Sequence, residues 1–251
     1  MIQMTADIGV TRVEFLKVPV DIITEERFEE VVRYMTTNDK VNQIVFLDFL
    51  GLFRARTNQE YLNCLKNAAL VVPVSSLIVK GMAFLKIMPA PLYRPFPFII
   101  KLLGHLERLH KTIYLLGGTR TVIQASENTL KASFPGAQFI GRFAADFPQE
   151  MEKNILLAIK KASPSLLLAG KGLKGKDLWL YRHRKMVNSG IFLWDKTCYD
   201  VFSGRKKKPP VKNGALFIQE FNRSLFRPWK FLVVFLYLWF LLLLVIYRLK
   251  R

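Results

Sequence analysis

One segment near the end of the chain restricts its folding more than any other: from Phe231 to Tyr247 the sequence reads FLVVFLYLWFLLLLVIY, seventeen residues without a charge. As a helix rising about 1.5 Å per residue it would be roughly 26 Å long, close to the hydrocarbon thickness of a bilayer. Its apolar character continues around every helical face, whereas a helix packed on a domain surface keeps a polar stripe. Trp229 and Tyr247 at its ends, with Arg227, Lys230, Arg248, Lys250 and Arg251 outside them, supply an aromatic and cationic belt. The expectation is a C-terminal membrane anchor over 229–251, preceded by a basic membrane-proximal appendage over 211–228 and a folded domain over 1–210. The opening residues MIQMTADIGVTRVEF show no signal-type pattern, so the domain is expected on the cytoplasmic side of a single-pass anchor in the cytoplasmic membrane.

The formal net charge of +19 must attract a polyanion, whether phospholipid, nucleic acid or a phosphorylated substrate. Lys206, Lys207 and Lys208, upstream of the apolar run, fit apposition to anionic membrane lipids. No helix-turn-helix, zinc-finger or RNA-recognition pattern accompanies the charge, which argues against nucleic acid as a partner. Cys64 and Cys198 are too few for a disulfide framework. His105, His110 and His183 lie far apart, with no carboxylate or cysteine spacing that suggests a metal site and no Ser-His-Asp order, so no cofactor is expected.

Upstream of the anchor, short β-branched and aromatic runs alternate with stretches of helical spacing, the pattern of a sheet with helices on its faces. Val13 to Ile23 reads as an opening strand or hairpin, and Thr24 as the cap of a helix that turns Phe28, Val31, Val32 and Met35 to one side. Gln43 to Leu50 is the next strand; Thr57 with Glu60 makes a capping box ahead of Tyr61, Cys64, Leu65 and Ala68. Leu70 to Val74 reads as a buried strand, and PAPLYRPFP from Pro89 to Pro97 as an extended loop or lid. Further strands are expected at Thr112 to Leu116, Ala137 to Gly141 and from Ser165, with a helix from Pro148 to Ala162. The economical fold is α/β, a Rossmann-like, mostly parallel sheet with helices on both faces, plus the C-terminal transmembrane helix.

The strand TIYLL runs into Gly117, Gly118, Thr119, Arg120 and Thr121 and then a helix, an arrangement able to cradle phosphate because glycines admit the ligand and the helix offers free N–H groups. A GG turn at helix entry also serves simple chain reversal. In such a sheet, sites collect at the carboxyl ends of strands, which should bring Gly117 to Thr121, Gly170 to Asp177 and whatever follows Val74 to one rim.

The order of these residues resembles the WecG/TagA/CpsF family of bacterial glycosyltransferases, of the N-acetylmannosaminyltransferase type, over roughly Val31 to Pro228. YLLGGTRTVIQASENTLKASFPGAQFIG is similar to the family's strand, double-glycine turn, helix and "fPG...ivG" stretch. SPSLLLAGKGLKGKDLWLYRHR resembles "pDlllVglG.PkQE.w", with Gly170, Gly172, Asp177 and Trp179 in register; DVFSGRKKKPP resembles "FdflAGk.kRAP", aligning Asp200, Gly204, Lys208 and Pro210. The resemblance implies transfer of N-acetylmannosamine or a related sugar from a UDP-sugar donor to an undecaprenyl-diphosphate-linked acceptor at the cytoplasmic membrane face, in surface glycan synthesis and without a firm metal requirement. QEFNRSLFRPWK matches a basic aromatic appendage, in which Arg223 and Arg227 would grip the acceptor's diphosphate. Self-association into a homo-oligomer stays open.

This sequence departs from the family's pattern at the positions that matter for chemistry. Phe46, Leu47 and Asp48 stand where the family carries "TlN", and Val74 and Ser75 stand in the "aDG" motif whose aspartate is the expected base. Lys174 and Lys176 replace the proline and glutamine of "PkQE". A valine cannot accept a proton from an acceptor hydroxyl. Asp48 is therefore the candidate catalytic base, with Gly117, Gly118, Thr119, Arg120, Lys171, Gly172, Lys174, Lys176, Asp177 and Asp200 as candidate substrate-binding residues. The alternative is a catalytically inactive relative that serves as a membrane-bound scaffold or regulator.

Overall fold

The computed structural model describes residues 3–5, 9–88, 90–188, 190–209 and 231–249. Strands β1 (Gln3–Thr5), β2 (Val10–Phe15) and β3 (Val18–Ile23) form an antiparallel sheet. The β2–β3 turn places Leu16 and Lys17 at φ of 51° and 69°, and every residue of β3 is buried. Asp21 in β3 is fully buried, where it takes two hydrogen bonds of 2.7 Å from the Arg12 guanidinium and one of 2.6 Å from the backbone N–H of Val71, tying the hairpin to the larger sheet. Burial raises the Asp21 carboxyl pKa and the Arg12 charge works against that rise.

The larger sheet is built from β4 (Val41–Leu47), β5 (Leu70–Pro73), β6 (Thr112–Leu116), β7 (Gln138–Phe143), β8 (Leu166–Ala169) and β9 (Gly190–Trp194), all parallel, in the order β5-β4-β9-β8-β6-β7. Strand alternation sorts the side chains by face. Ile44, Leu70, Ile113, Leu166 and Ile191 pack against helices α1 (Phe28–Thr37), α5 (Pro95–Arg108), α6 (Arg120–Ser133) and α9 (Cys198–Phe202). On the opposite face Val45 and Val71 meet α2 (Phe49–Thr57), α3 (Gln59–Asn67), α4 (Ser76–Phe84) and the hairpin. There too Tyr114, Leu167 and Phe192 meet α7 (Glu152–Ala162) and α8 (Asp177–His183). The α/β reading holds, and with helices on both faces the near-continuous apolar strands are buried twice, as parallel sheets require.

Several boundaries differ from the sequence reading. The first helix begins at Phe28 rather than after Thr24, although it buries the four residues expected of it. Gln43 to Leu50 is not one strand: β4 stops at Leu47, and Asp48 caps α2. Thr57 closes α2 instead of opening a helix; Asn58 caps α3 by accepting from the Tyr61 N–H at 2.8 Å. The proline-rich stretch is shorter than expected as a loop, because Pro95 and Pro97 occupy the first turn of α5, where proline's missing N–H is harmless.

The largest correction concerns the C-terminal segment. It forms α10 (Phe231–Leu249), and α10 lies against the domain. The Phe240 ring meets those of Phe15, Phe49 and Phe53 at 6.3, 5.4 and 6.5 Å, and Leu243 and Leu244 are buried beside it. Gly81 in α4 makes room, since a Cβ there would come within 2.9 Å of Phe240 Cζ. Among the described residues no helix is long and apolar enough to cross a membrane. An aromatic groove on the domain competes for one face of the helix that a spanning segment would give wholly to lipid. The appendage over 211–228, with Arg223 and Arg227, and the flanking Trp229, Lys230, Lys250 and Arg251 lie outside the described residues.

Candidate functional site

The rim at the carboxyl ends of the parallel strands collects the candidate residues, as the topology requires. Three loops are laced together there. Gly117 donates its N–H to Phe143 O at 2.9 Å, Gly118 to Lys171 O at 2.6 Å, Ala145 to Gly118 O at 3.0 Å, and Gly170 to Leu116 O at 2.8 Å. The loops after β6, β7 and β8 thus form one backbone surface. Gly117 and Gly118 take φ of 148° and 62°, in the region that favours glycine.

Beneath this surface lies Tyr199 from α9. A Cβ on Gly170 would stand 2.2 Å from Tyr199 Cδ2, and one on Gly117 2.8 Å from Tyr199 Cε2. The Tyr199 hydroxyl accepts from the Leu116 N–H at 3.2 Å and donates to Leu168 O, so the ring is fixed to both strands that carry the loops. Burial pushes its pKa well up, which keeps the hydroxyl protonated and able to donate. Asp195 starts this segment by accepting from the N–H groups of Thr197 and Cys198 at 2.8 and 2.5 Å. The sequence reading singled out neither residue. The apolar run GIFLW before Asp195 was the available signal, and it marks β9, which lies inside the sheet.

Cations stand around the laced loops. Arg120 opens α6 and borders a cavity of about 420 Å³ together with Arg142, Asp146, Phe147 and Met151. Thr119, the N-cap of α6, makes no capping bond of its own, and its hydroxyl lies 3.2 Å from that of Thr121. Arg205 donates to the Thr121 hydroxyl at 3.3 Å, bringing the 204–208 turn against the head of α6. Lys171, Lys174 and Lys176 are exposed, and the Lys176 ammonium lies 5.5 Å from the centre of the Trp194 ring. Trp194 in turn donates its indole N–H to Gly170 O at 3.0 Å, so Lys176 and Gly117 share one rim. Lys176 is held at φ 55° and ψ −125°, an unfavourable conformation for a side-chain-bearing residue. Gly172, at φ 99°, packs against Ala145.

The acidic groups are distributed differently. Asp48 is exposed at the end of β4 and caps α2, accepting from the Gly51 N–H at 2.6 Å. Val74, half-buried, follows β5 and donates its N–H to Leu47 O at 3.0 Å, so the ends of β4 and β5 are adjacent. Asp177 is buried at the head of α8, and its Oδ1 has no hydrogen-bond partner among the described residues. Burial drives its pKa up to about 7; Arg54 and Lys176 oppose the rise, and Asp48 adds to it. Arg54, which the sequence reading passed over, stacks its guanidinium 4.6 Å from the Tyr61 ring. Asp200 pairs with Lys206 at 2.8 Å, beside the Thr121 and Arg205 contact. Among the described residues no group of His, Cys, Asp and Glu could hold a metal ion.

The rim offers an anion the free N–H groups in the first turn of α6 and a fence of cations, with exposed carboxylates at Asp48, at its β4 end, and at Asp146 on the Arg120 cavity. The model of the glycosyl transferase WecG/TagA/CpsF family matches residues 13–251. Similar proteins include the N-acetylglucosaminyldiphosphoundecaprenol N-acetyl-beta-D-mannosaminyltransferases of Staphylococcus aureus strains NCTC 8325 / PS 47 and COL, each 25% identical over 226 residues, or 87% of this chain and 86% of the relative. The protein of the same description from strain MRSA252 is 24% identical over the same shares.

Proposed function

The chain belongs to the glycosyl transferase WecG/TagA/CpsF family, and from that premise we propose that it transfers N-acetylmannosamine or a related sugar from a UDP-sugar to an undecaprenyl-diphosphate-linked acceptor at the cytoplasmic face of a membrane. The observation that carries this reading is the backbone lacing of the Gly117–Gly118 turn to Phe143, Ala145 and Lys171, ringed by Arg120, Lys171, Lys174 and Lys176. The acceptor hydroxyl attacks the anomeric carbon, the bond to the UDP oxygen breaks, and UDP leaves with the electron pair. The free N–H groups in the first turn of α6 and the cations stabilise the charge that grows on the diphosphate. Asp48 receives the hydroxyl proton, and its second oxygen is the one for the task because Oδ1 is engaged by Gly51. The names of the Staphylococcus aureus relatives support N-acetylglucosaminyl-diphosphoundecaprenol as the acceptor to try first. Arg223 and Arg227 are proposed to hold the acceptor's diphosphate.

The test is incubation of the purified protein with UDP-N-acetylmannosamine and that acceptor, with Asp48→Ala as control. Transfer that Asp48→Ala abolishes supports the reading; no turnover with a panel of UDP-sugars defeats it. A second reading, a non-catalytic relative that serves as scaffold, is favoured by Val74 at the end of β5 and by the commitment of Asp48 to capping α2. Calorimetry separates the two: the transferase binds UDP in a salt-sensitive manner, and a scaffold with a filled rim does not.

A further inference from the structure

Asp177 is a buried ionisable group to which the proposed mechanism gives no task. Its backbone is tied to β4 and α3: the Gln43 amide donates to the Asp177 carbonyl at 2.9 Å, and Cys64 Sγ lies 3.9 Å from the same oxygen. Its side chain is treated differently. The residue is 7% exposed, yet Oδ1 has no hydrogen-bond partner among the described residues. A carboxyl oxygen that has given up water without gaining a donor only weakens the fold, and such groups gather where a ligand completes them.

One polar cluster runs inward from the rim to this oxygen. Asp48 Oδ1 and the Tyr61 hydroxyl meet at Gly51, where a Cβ would stand 3.0 Å from the first and 3.3 Å from the second. The Arg54 guanidinium lies 4.6 Å from the centre of the Tyr61 ring. Burial and then the Asp177 charge raise the pKa of Tyr61 and of Cys64, so Asp177 is within electrostatic reach of both. Arg54 and Lys176 favour its charged form, and Asp48 favours its neutral one.

We infer that Asp177, with Arg54 beside it, recognises a second hydroxyl of the acceptor sugar, one near the hydroxyl that Asp48 deprotonates, and so helps decide which acceptor is used. The inference rests on the transferase reading for placing that sugar at Asp48. Local charge selects a neutral ligand: a cation at Oδ1 would meet Arg54 and Lys176, and an anion would meet Asp48 and Asp177 itself. A hydroxyl donates to an ionised carboxyl and accepts from a protonated one, so it completes Asp177 in either state, and burial puts this group's pKa at about 7. Arg54 offers only donors, which suit the oxygen of the same hydroxyl. A sugar ring carries hydroxyls on neighbouring carbons, so a ring held at Asp48 turns another toward Tyr61 and Asp177. Lys176, directly before Asp177, sits at φ 55° and ψ −125°, and relaxing this strained turn is the movement that uncovers Oδ1.

The experiment is calorimetry of the full chain with a short-chain, water-soluble N-acetylglucosaminyl diphosphate and its monodeoxy analogues, using wild type, Asp177→Ala and Asp177→Asn. One analogue should bind wild type at least about tenfold more weakly than the parent diphosphate, as expected for a lost hydrogen bond to a charged group. Asp177→Ala should bind that analogue and the parent alike. Asp177→Asn, whose amide both donates and accepts, should keep the difference. If circular dichroism shows that Asp177→Ala does not fold, infrared difference spectra of wild type carrying isotope-labelled aspartate decide the matter: the parent diphosphate should shift a carboxyl band that Asp177→Asn lacks. Failure to bind the parent, equal binding of every analogue by wild type, an undiminished difference in Asp177→Ala, or a carboxyl band that the parent leaves unmoved would each overturn the inference. Binding is read without turnover, which keeps the two readings apart. Discrimination that Asp177→Ala abolishes, with no transfer from any UDP-sugar, overturns the transferase reading alone; transfer without discrimination overturns only the role of Asp177.

Discussion

The two ends of the carboxyl rim are built to different standards. At the β6–β8 end, three loops share four backbone hydrogen bonds and rest on Tyr199, and the ring leaves no room to replace Gly117 or Gly170. At the β4–β5 end, the residue after one strand is a helix cap and the residue after the other is Val74. Holding a diphosphate needs backbone donors and diffuse positive charge, which packing can supply through many residues. Accepting a proton needs one carboxylate in one place. In the proposed transferase the first requirement would fall to many groups, the head of α6 with Arg120, Lys171, Lys174 and Lys176, and the second to Asp48 alone.

That contrast is broken most sharply at the weaker end. Asp48→Ala should lower turnover by about 10²- to 10⁴-fold, the usual worth of a general base. UDP affinity, measured by calorimetry, should stay unchanged, and stability should fall by only about 1 kcal/mol for the lost cap. An unchanged rate would move the proton acceptor elsewhere.

Asp177 tests whether burial near that end is a burden. Its pKa rises from 3.8 in the unfolded chain to about 7 in the fold. Between those values the folded state keeps a proton that the unfolded chain has released, so stability falls as pH rises through the window and levels off above it. At about 1.4 kcal/mol per unit the loss has an upper limit of ~4 kcal/mol. Asp177→Asn should therefore be more stable than wild type in urea at pH 8, with the advantage shrinking as pH falls toward 4.

The stronger end should respond to small changes in shape. Gly170→Ala drives a methyl group into Tyr199 and should cost about 2–3 kcal/mol in chemical denaturation. Tyr199→Phe keeps the ring and removes two hydrogen bonds, costing about 1–2 kcal/mol. If Gly170→Ala were neutral, the loops would be free to shift and the contrast between the two ends would dissolve.

Five strands of the parallel sheet were legible because buried parallel strands are short unbroken apolar runs, as in TIYLL and SLLLA, but β9, GIFLW, was not read as a strand although it is such a run. The buried face of α1 was legible through helical spacing, although its start was not, since Thr24 offers a cap that the chain does not use. α2 was hidden because its residues, FLGLFRART, sort poorly into an apolar and a polar side, so its first two joined the preceding strand in the reading. The glycine loops could be placed on one rim from topology alone. Tyr199 could not, because its hydroxyl meets a backbone N–H 83 positions away and no local pattern announces such a contact. The terminal run was read as a membrane anchor from its composition, and it lies instead against the domain. Its docking depends on Phe15, Phe49 and Gly81, remote residues that periodicity in the run itself does not encode.

Tyr199 also dictates how the rim can move. Because one ring wedges under both Gly117 and Gly170 and one hydroxyl clasps both strands, neither loop can hinge open while the other stays shut. On the transferase reading, a nucleotide would then enter and leave only with a shared displacement of the loops after β6 and β8 and of the ring wedged beneath them.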